Sequence, residues 1–274
     1  MAQVNPIGIF DSGVGGLTVF AAIRELMPRE SLVYLGDTAR LPYGTKSRET
    51  VIRYALEDEA FLARHQVKAI VVACNTASAV ALDTLREHST VPVVGVVEPG
   101  ANAAVAASRG RCIGVIGTTG TIASNAYTDV IKRLEPRATV IAQACPLFVS
   151  LVEEGWLTDE VTWKVAQRYL TPLREAGVDT LVLACTHYPL LKPLIAEVMG
   201  QGVALVDSAE AVAEELKRML EDHSLQTTSA HAEHHLFVTD LPGAFTHVAA
   251  RFLGHHLPPV ERVDLETACV FPPR

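Results

Sequence analysis

Cys74 and Cys185 close two near-matching stretches of the chain. Ile70-Val71-Val72-Ala73-Cys74-Asn75-Thr76 is echoed by Leu181-Val182-Leu183-Ala184-Cys185-Thr186-His187. Each is an apolar run of strand length that stops at a thiol and turns polar. A parallel strand buried on both faces reads as such a run, and chemistry in open α/β sheets gathers beyond the strands' carboxyl ends. One thiol is therefore expected at the mouth of a strand in each half of the chain. A lone buried cysteine is more often a small packing residue, but two in matched surroundings point to a shared task. A redox pair is more often a C-x-x-C, and these two are far apart. A covalent hydrolase needs one cysteine with a histidine base, which leaves Cys74 unexplained. A two-base proton exchanger uses both: a thiolate takes a proton from a carbon beside a carboxylate, and a thiol delivers one to the opposite face. A free thiol pKa of about 8.5 must fall toward neutrality for that, and a helix N-terminus after each cysteine would help.

Such chemistry needs helpers. Asp11 could hold a substrate ammonium or influence Cys74, and His187 could be a proton partner for Cys185. Asn75, Thr76, Thr118 and Thr186 offer neutral donors for carboxylates. Glu153 could contact an ammonium or tune the Cys185–His187 side; a solvated helix face accounts for it equally well. Cys112, Cys145 and Cys269 do not repeat the motif and read as structural. Two loops could frame the site. Asp11-Ser12-Gly13-Val14-Gly15-Gly16 joins a strand to a helix, where glycines let backbone N–H groups approach an anion. A dinucleotide fingerprint fits it poorly, because Thr18 stands at the final glycine position and Asp11 would face a pyrophosphate. A purely structural glycine turn is the other reading. Gly36-Asp37-Thr38-Ala39-Arg40-Leu41-Pro42-Tyr43-Gly44 is a defined turn whose amides could line a site.

The elements that must position these residues follow from the apolar pattern. Strands are expected over Pro6–Phe10, Leu32–Leu35, Ala69–Ala73, Val91–Val97, Cys112–Ile116, Thr139–Ala142, Thr180–Ala184 and Val203–Val206. Helical spacing links Leu17, Phe20, Ile23 and Met27. It also links Val51, Ala55 and Leu62 after a Ser47 cap, and Val212, Leu216 and Leu220 after a Ser208 cap. The alternation implies α/β architecture with largely parallel sheets. Ile7-Gly8-Ile9-Phe10-Asp11-Ser12-Gly13 resembles Ile113-Gly114-Val115-Ile116-Gly117-Thr118-Thr119, and its spacing nearly matches that of the cysteine echo. Two related units are expected: residues 1–98 with 208–274, and residues 99–207. Glu98-Pro99-Gly100 marks the crossing. Asp222 to His235 reads as a surface loop. Its His231, His234 and His235, with His255-His256, lack a recognised ligand spacing, so no metal site is expected.

The chain of 274 residues is 49% hydrophobic with a formal charge of -8. The balance excludes a general nucleic-acid binder. No apolar stretch nears the ~20 residues that span a bilayer, and no signal segment opens the chain. Five cysteines in a chain this long do not look like a disulfide framework, which places the protein in a reducing cytoplasm.

At these residues the chain resembles the bacterial glutamate racemases, over essentially its whole length. The likeness rests on Phe10-Asp11-Ser12-Gly13-Val14-Gly15-Gly16, Gly36-Asp37-Thr38 with Pro42-Tyr43-Gly44, Ala73-Cys74-Asn75-Thr76, Glu153-x-Gly155 and Cys185-Thr186-His187-Tyr188-Pro189-Leu190. It implies cofactor-independent interconversion of L- and D-glutamate for peptidoglycan precursors, two similar parallel-sheet α/β domains facing each other across a central cleft, and a homodimer. It makes Cys74 and Cys185 the acid/base pair. Asp11, Glu153 and His187 become auxiliary groups around the thiols. Asp11, Ser12, Pro42, Tyr43, Gly44, Asn75, Thr76, Thr118, Thr186 and His187 become substrate contacts. Ser150 stands where related chains often have proline. Aspartate or another amino acid on the same scaffold remains open as substrate, as does a non-catalytic module. The cysteine motifs contain no lysine or arginine, so a dicarboxylate would be held by amides, hydroxyls and Asn75 rather than by a cation such as Arg40.

Overall fold

The computed structural model describes residues 4–254 and 257–265. Two parallel sheets organise them. The first contains β1 (Ile7–Asp11), β2 (Leu32–Gly36), β3 (Ala69–Val72), β4 (Val93–Gly95), β9 (His234–Val238) and β10 (Val260–Arg262), in the order β10-β9-β2-β1-β3-β4. The second contains β5 (Cys112–Gly117), β6 (Thr139–Ala144), β7 (Thr180–Ala184) and β8 (Ala204–Asp207), in the order β6-β5-β7-β8. The apolar runs are buried at every position in β1, β3 and β7 because helices cover both faces. In the first half those helices are α1 (Leu17–Leu26), α2 (Arg48–Arg64), α3 (Asn75–His88) and α4 (Val97–Ala107). Next come α5 (Thr119–Ala123), α6 (Ala126–Leu134), α7 (Leu147–Glu154), α8 (Glu160–Glu175) and α9 (Lys192–Met199). The last two are α10 (Ser208–Asp222) and α11 (Pro242–Leu253).

Each sheet has an apolar cluster on each face, so the molecule is two α/β lobes. The chain crosses between lobes where β4 gives way to α4, and returns where β8 gives way to α10. Val97, Ala101 and Ala104 of α4 pack with Ile113 and Val182 of the second sheet. Val212 and Leu216 of α10 pack with Ile9 and Phe20 of the first.

Five expectations need correction. Val96 and Val97 leave the strand early, since β4 ends at Gly95. Glu98-Pro99-Gly100 is helical; Pro99 sits in the first turn of α4, where its missing N–H costs no helix bond. Asp207 rather than Ser208 caps α10, its carboxylate accepting from Ala209 N at 3.1 Å and Glu210 N at 3.3 Å. The stretch from Asp222 to His235 is a loop only in its middle. His234 and His235 begin β9, paired with Leu32 and Val33, with His234 edge-on to Phe20 and His235 stacked on Phe237. Finally, α11, β9 and β10 have no counterpart in the expected elements. No His/Cys/Asp/Glu cluster able to hold a metal occurs among the described residues; His255, His256 and Cys269 lie outside them. No described helix is long and apolar enough to cross a membrane.

Candidate active site

Both thiols stand one residue or two beyond the carboxyl end of an inner strand. Cys74 follows β3 and takes the N-cap position of α3, with φ -63° and ψ 116°. Cys185 follows β7 directly. The helix N-terminus expected after each cysteine is present only at Cys74. After Cys185 the chain makes a 3₁₀ turn over Tyr188–Leu191, and α9 starts at Lys192.

The two cysteines line one pocket of about 420 Å³, its mouth included. The first lobe contributes Ser12 and Gly13 after β1, Pro42, Tyr43 and Gly44 from the turn after β2, and Asn75 and Thr76 beside Cys74. The second contributes Thr118 from the cap of α5, Glu153 from α7, and Thr186 and His187 beside Cys185. The sequence does not single out three lining residues: Gly13 and Leu41, which lie in the two loops expected to frame the site, and Val149 of α7, an apolar residue whose type announces nothing. Among the described residues the lining contains no lysine or arginine.

Asp11 lies underneath this wall, fully buried. Its carboxylate accepts from Gly13 N at 3.0 Å and from Thr186 Oγ1 at 3.4 Å, so it ties the first lobe's glycine loop to the second lobe's cysteine motif. Burial raises its pKa, opposed by the neighbouring His187 cation and by backbone N–H donors. The glycine loop is a packing device. A Cβ on Gly15 would stand 2.3 Å from Thr186 Oγ1 and 2.4 Å from His187 Nδ1. The loop therefore presses against protein rather than opening onto a phosphate.

The two thiols have different neighbours. Cys74 Sγ meets Ser12 Oγ at 3.7 Å. Burial, reinforced by the Asp11 charge, pushes the Cys74 thiol up to about 12. Cys185 Sγ faces His187 Nδ1 at 4.0 Å, and His187 Nε2 meets Glu153 Oε1 at 2.9 Å. Burial pulls the imidazole pKa down, but the contacts with Cys185 and Glu153 prevail and raise it to about 10. One thiol thus borders an imidazolium and the other does not.

Neutral donors surround the pocket. Tyr127 donates to Asn75 Oδ1 at 2.6 Å, which leaves Asn75 Nδ2 buried without a protein partner. Thr76, Thr118 and Thr121 form a hydroxyl triangle across the lobes, with sides of 2.9, 3.0 and 3.0 Å. Tyr43 lines the pocket, while its hydroxyl lies between the Asp37 and Asp58 carboxylates at 2.5 and 2.8 Å. Arg40 is bound to the same group: it contacts Asp37 at 2.6 Å, Asp58 at 3.2 Å and Glu57, and lies 4.1 Å over the Tyr54 ring. It is a strut under the Tyr43–Gly44 turn, outside the pocket.

The family model for Asp/Glu/Hydantoin racemases matches residues 15–216. A glutamate racemase of Geobacter metallireducens is 56% identical over 261 residues, covering 95% of this chain and 97% of the relative. A crystal structure of a Bacillus anthracis glutamate racemase superposes with TM-score 0.93 at 40% identity, covering 96% of this chain and 98% of that one. The Francisella tularensis glutamate racemase in complex with D-glutamate gives TM-score 0.91 at 38% identity, covering 97% and 99%.

Proposed function

We propose that this chain, which belongs to the Asp/Glu/hydantoin racemase family, interconverts L- and D-glutamate by proton transfer between two cysteines and the α-carbon. The observation that carries the reading is Cys74 and Cys185 lining a single pocket from two lobes. One sulfur, as thiolate, takes the α-proton. The C–H bond breaks, an S–H bond forms, and the electron pair stays on the α-carbon next to the carboxylate. The other sulfur, as thiol, gives its proton to the opposite face and is left as thiolate. The reverse reaction exchanges the roles.

The surroundings assign the remaining tasks. His187, held against Glu153, accepts and returns the proton of Cys185. Cys74 has Ser12 and Asp11 near it but, among the described residues, no side-chain cation, and burial holds its proton. A substrate α-ammonium in the same pocket supplies the missing positive charge, so the substrate itself eases formation of that thiolate. Asn75 Nδ2, the threonine hydroxyls and the backbone of the Tyr43–Gly44 turn receive the carboxylates. Glutamate is the substrate carried over from relatives of that name. In this reading the D-isomer feeds peptidoglycan synthesis in the cytoplasm, and the chain acts as a homodimer without a cofactor.

The test is α-proton exchange in heavy water with purified protein and no added cofactor, run on each glutamate enantiomer. Deuterium should enter both, together with loss of optical activity. Absence of exchange from either enantiomer overturns the proposal.

A further inference from the structure

The proton transfer between the two thiols makes no use of α11, yet the last turn of this helix reaches across to the second lobe. The Arg251 guanidinium donates to the backbone carbonyls of Glu153 and, at 3.3 Å, of Val152. These belong to the C-terminal turn of α7, where a cation is favoured; the Val152 carbonyl also accepts from Gly155 N at 3.0 Å. The turn closes with Gly155 at φ +80°, and a Cβ there would stand 2.7 Å from Arg251 Cζ. The guanidinium therefore lies directly against the α7 cap. The next residue, Phe252, sets its ring edge-on to His187, with centroids 5.9 Å apart at 88°. Two consecutive side chains of one first-lobe helix thus hold the residues that border Cys185. Cys74 meets Ser12 instead.

We infer that Arg251 is a positioning residue for proton transfer at Cys185. By pinning the end of α7 to α11 across the two lobes, it sets where the Glu153 carboxylate meets His187. The Glu153 side chain is 32% exposed, so packing alone does not fix it, and its place depends on where its backbone is held. His187 in turn is oriented by Glu153 on one ring nitrogen and faces Cys185 with the other. Arg251 touches neither thiol, and it acts only through this chain. The inference rests on the two-thiol racemase reading and assigns a one-sided role within it.

Enantiomers have equal free energy in water, so kcat/KM for racemisation is the same in both directions for any variant. One-sided damage must be read elsewhere. With α-deuterated substrate, the label sits in the bond broken first, and the isotope effect on kcat/KM reports on the thiol that takes the proton. Arg251→Met keeps the aliphatic stem and removes the donors. It should lower kcat by about tenfold, in keeping with the cost of a small misplacement near reacting atoms. Its isotope effect should rise for the enantiomer that gives its proton to Cys185, and hold or fall for the mirror image, where delivery from Cys185 has become the slow step. Arg251→Lys, which keeps a cation for the α7 carbonyls, should recover part of kcat and part of the symmetry. Isotope effects that change equally for both enantiomers, or stay at the wild-type values, overturn the inference, because a merely structural cap would act on both thiols alike. If Arg251→Met does not fold by circular dichroism, Arg251→Lys alone carries the comparison with the same two outcomes. A wild-type protein that exchanges neither enantiomer rejects the racemase reading itself; a racemising wild type with symmetric variants rejects only the role of Arg251.

Discussion

At the scale of single residues, the two thiols are unlike although their sequence settings match. The Cys74 sulfur is buried against Ser12 and its thiol pKa pushed up to about 12; the Cys185 sulfur faces a histidine kept charged by its contacts with Cys185 itself and with Glu153. Replacing either thiol by a hydroxyl keeps the shape and removes an acid/base group that is typically worth about 10²- to 10⁴-fold. Cys74→Ser and Cys185→Ser should each lose racemisation by that order. Each should retain exchange preferentially with one enantiomer, the opposite one in the two variants, seen by deuterium incorporation. Near wild-type racemisation in both would make the pair structural.

His187 gives a pH prediction at the same scale. Its folded pKa of about 10 lies above the ordinary 6.5. The folded chain therefore keeps a proton that the unfolded chain releases. The contribution to stability is complete below pH 6.5, shrinks steadily as pH rises from 6.5, and is gone once pH passes 10. His187→Gln should cost most stability near pH 6 and progressively less toward pH 10, measured by urea unfolding across that range. A cost that is flat or grows with pH would refute the ion pair as its source.

At the scale of elements, the loop between β1 and α1 shows why glycine is needed where the lobes meet. A methyl group at position 15 would overlap Thr186 and His187, and neither neighbour is a flexible chain end free to swing away. Gly15→Ala should cost about 1–3 kcal/mol as overpacking, while activity falls far more than stability because the displaced residues flank Cys185. Thermal melts beside kcat separate the two effects; wild-type kcat in this variant would show that the close approach is not maintained in solution. The expected strands that position the cysteines are legible in the sequence because β1, β3 and β7 are buried on both faces and leave uninterrupted apolar runs. The missed elements lack that signal. β9 opens on two histidines, and β10 is the three-residue edge strand Val260–Arg262 with two exposed positions. α11 follows Leu241 at φ +44°, a conformation that no residue type there announces. Pocket residues with polar chemistry were readable by type, whereas Val149 enters the pocket only through tertiary packing. Arg40 shows the same limit from the other side: its position next to Pro42-Tyr43-Gly44 brings it close in sequence, but three carboxylates and the Tyr54 ring draw it away.

At the scale of the whole molecule, charge and pocket chemistry combine into one further expectation. The chain carries a formal charge of -8, and glutamate at neutral pH is itself a net anion, so the overall field opposes its approach. Many anion sites offset such a field with an arginine or lysine, and added salt then weakens binding by screening the attraction. Among the described residues no arginine or lysine lines this pocket, and the His187 cation is paired with Glu153, so the unpartnered Nδ2 of Asn75, hydroxyls and backbone groups are the donors left for the substrate. Hydrogen bonds from neutral groups in a closed pocket are hardly screened, whereas the long-range repulsion is screened within about 10 Å at 0.1 M salt. Raising potassium chloride from roughly 0.02 to 0.5 M, a range over which the screening length shortens several-fold, should therefore leave the KM for glutamate unchanged or lower it. Initial rates at fixed pH with either enantiomer would measure this. A KM that climbs several-fold with salt would mean that a cation attracts the substrate after all, either His187 freed from Glu153 or Arg40 freed from its carboxylates.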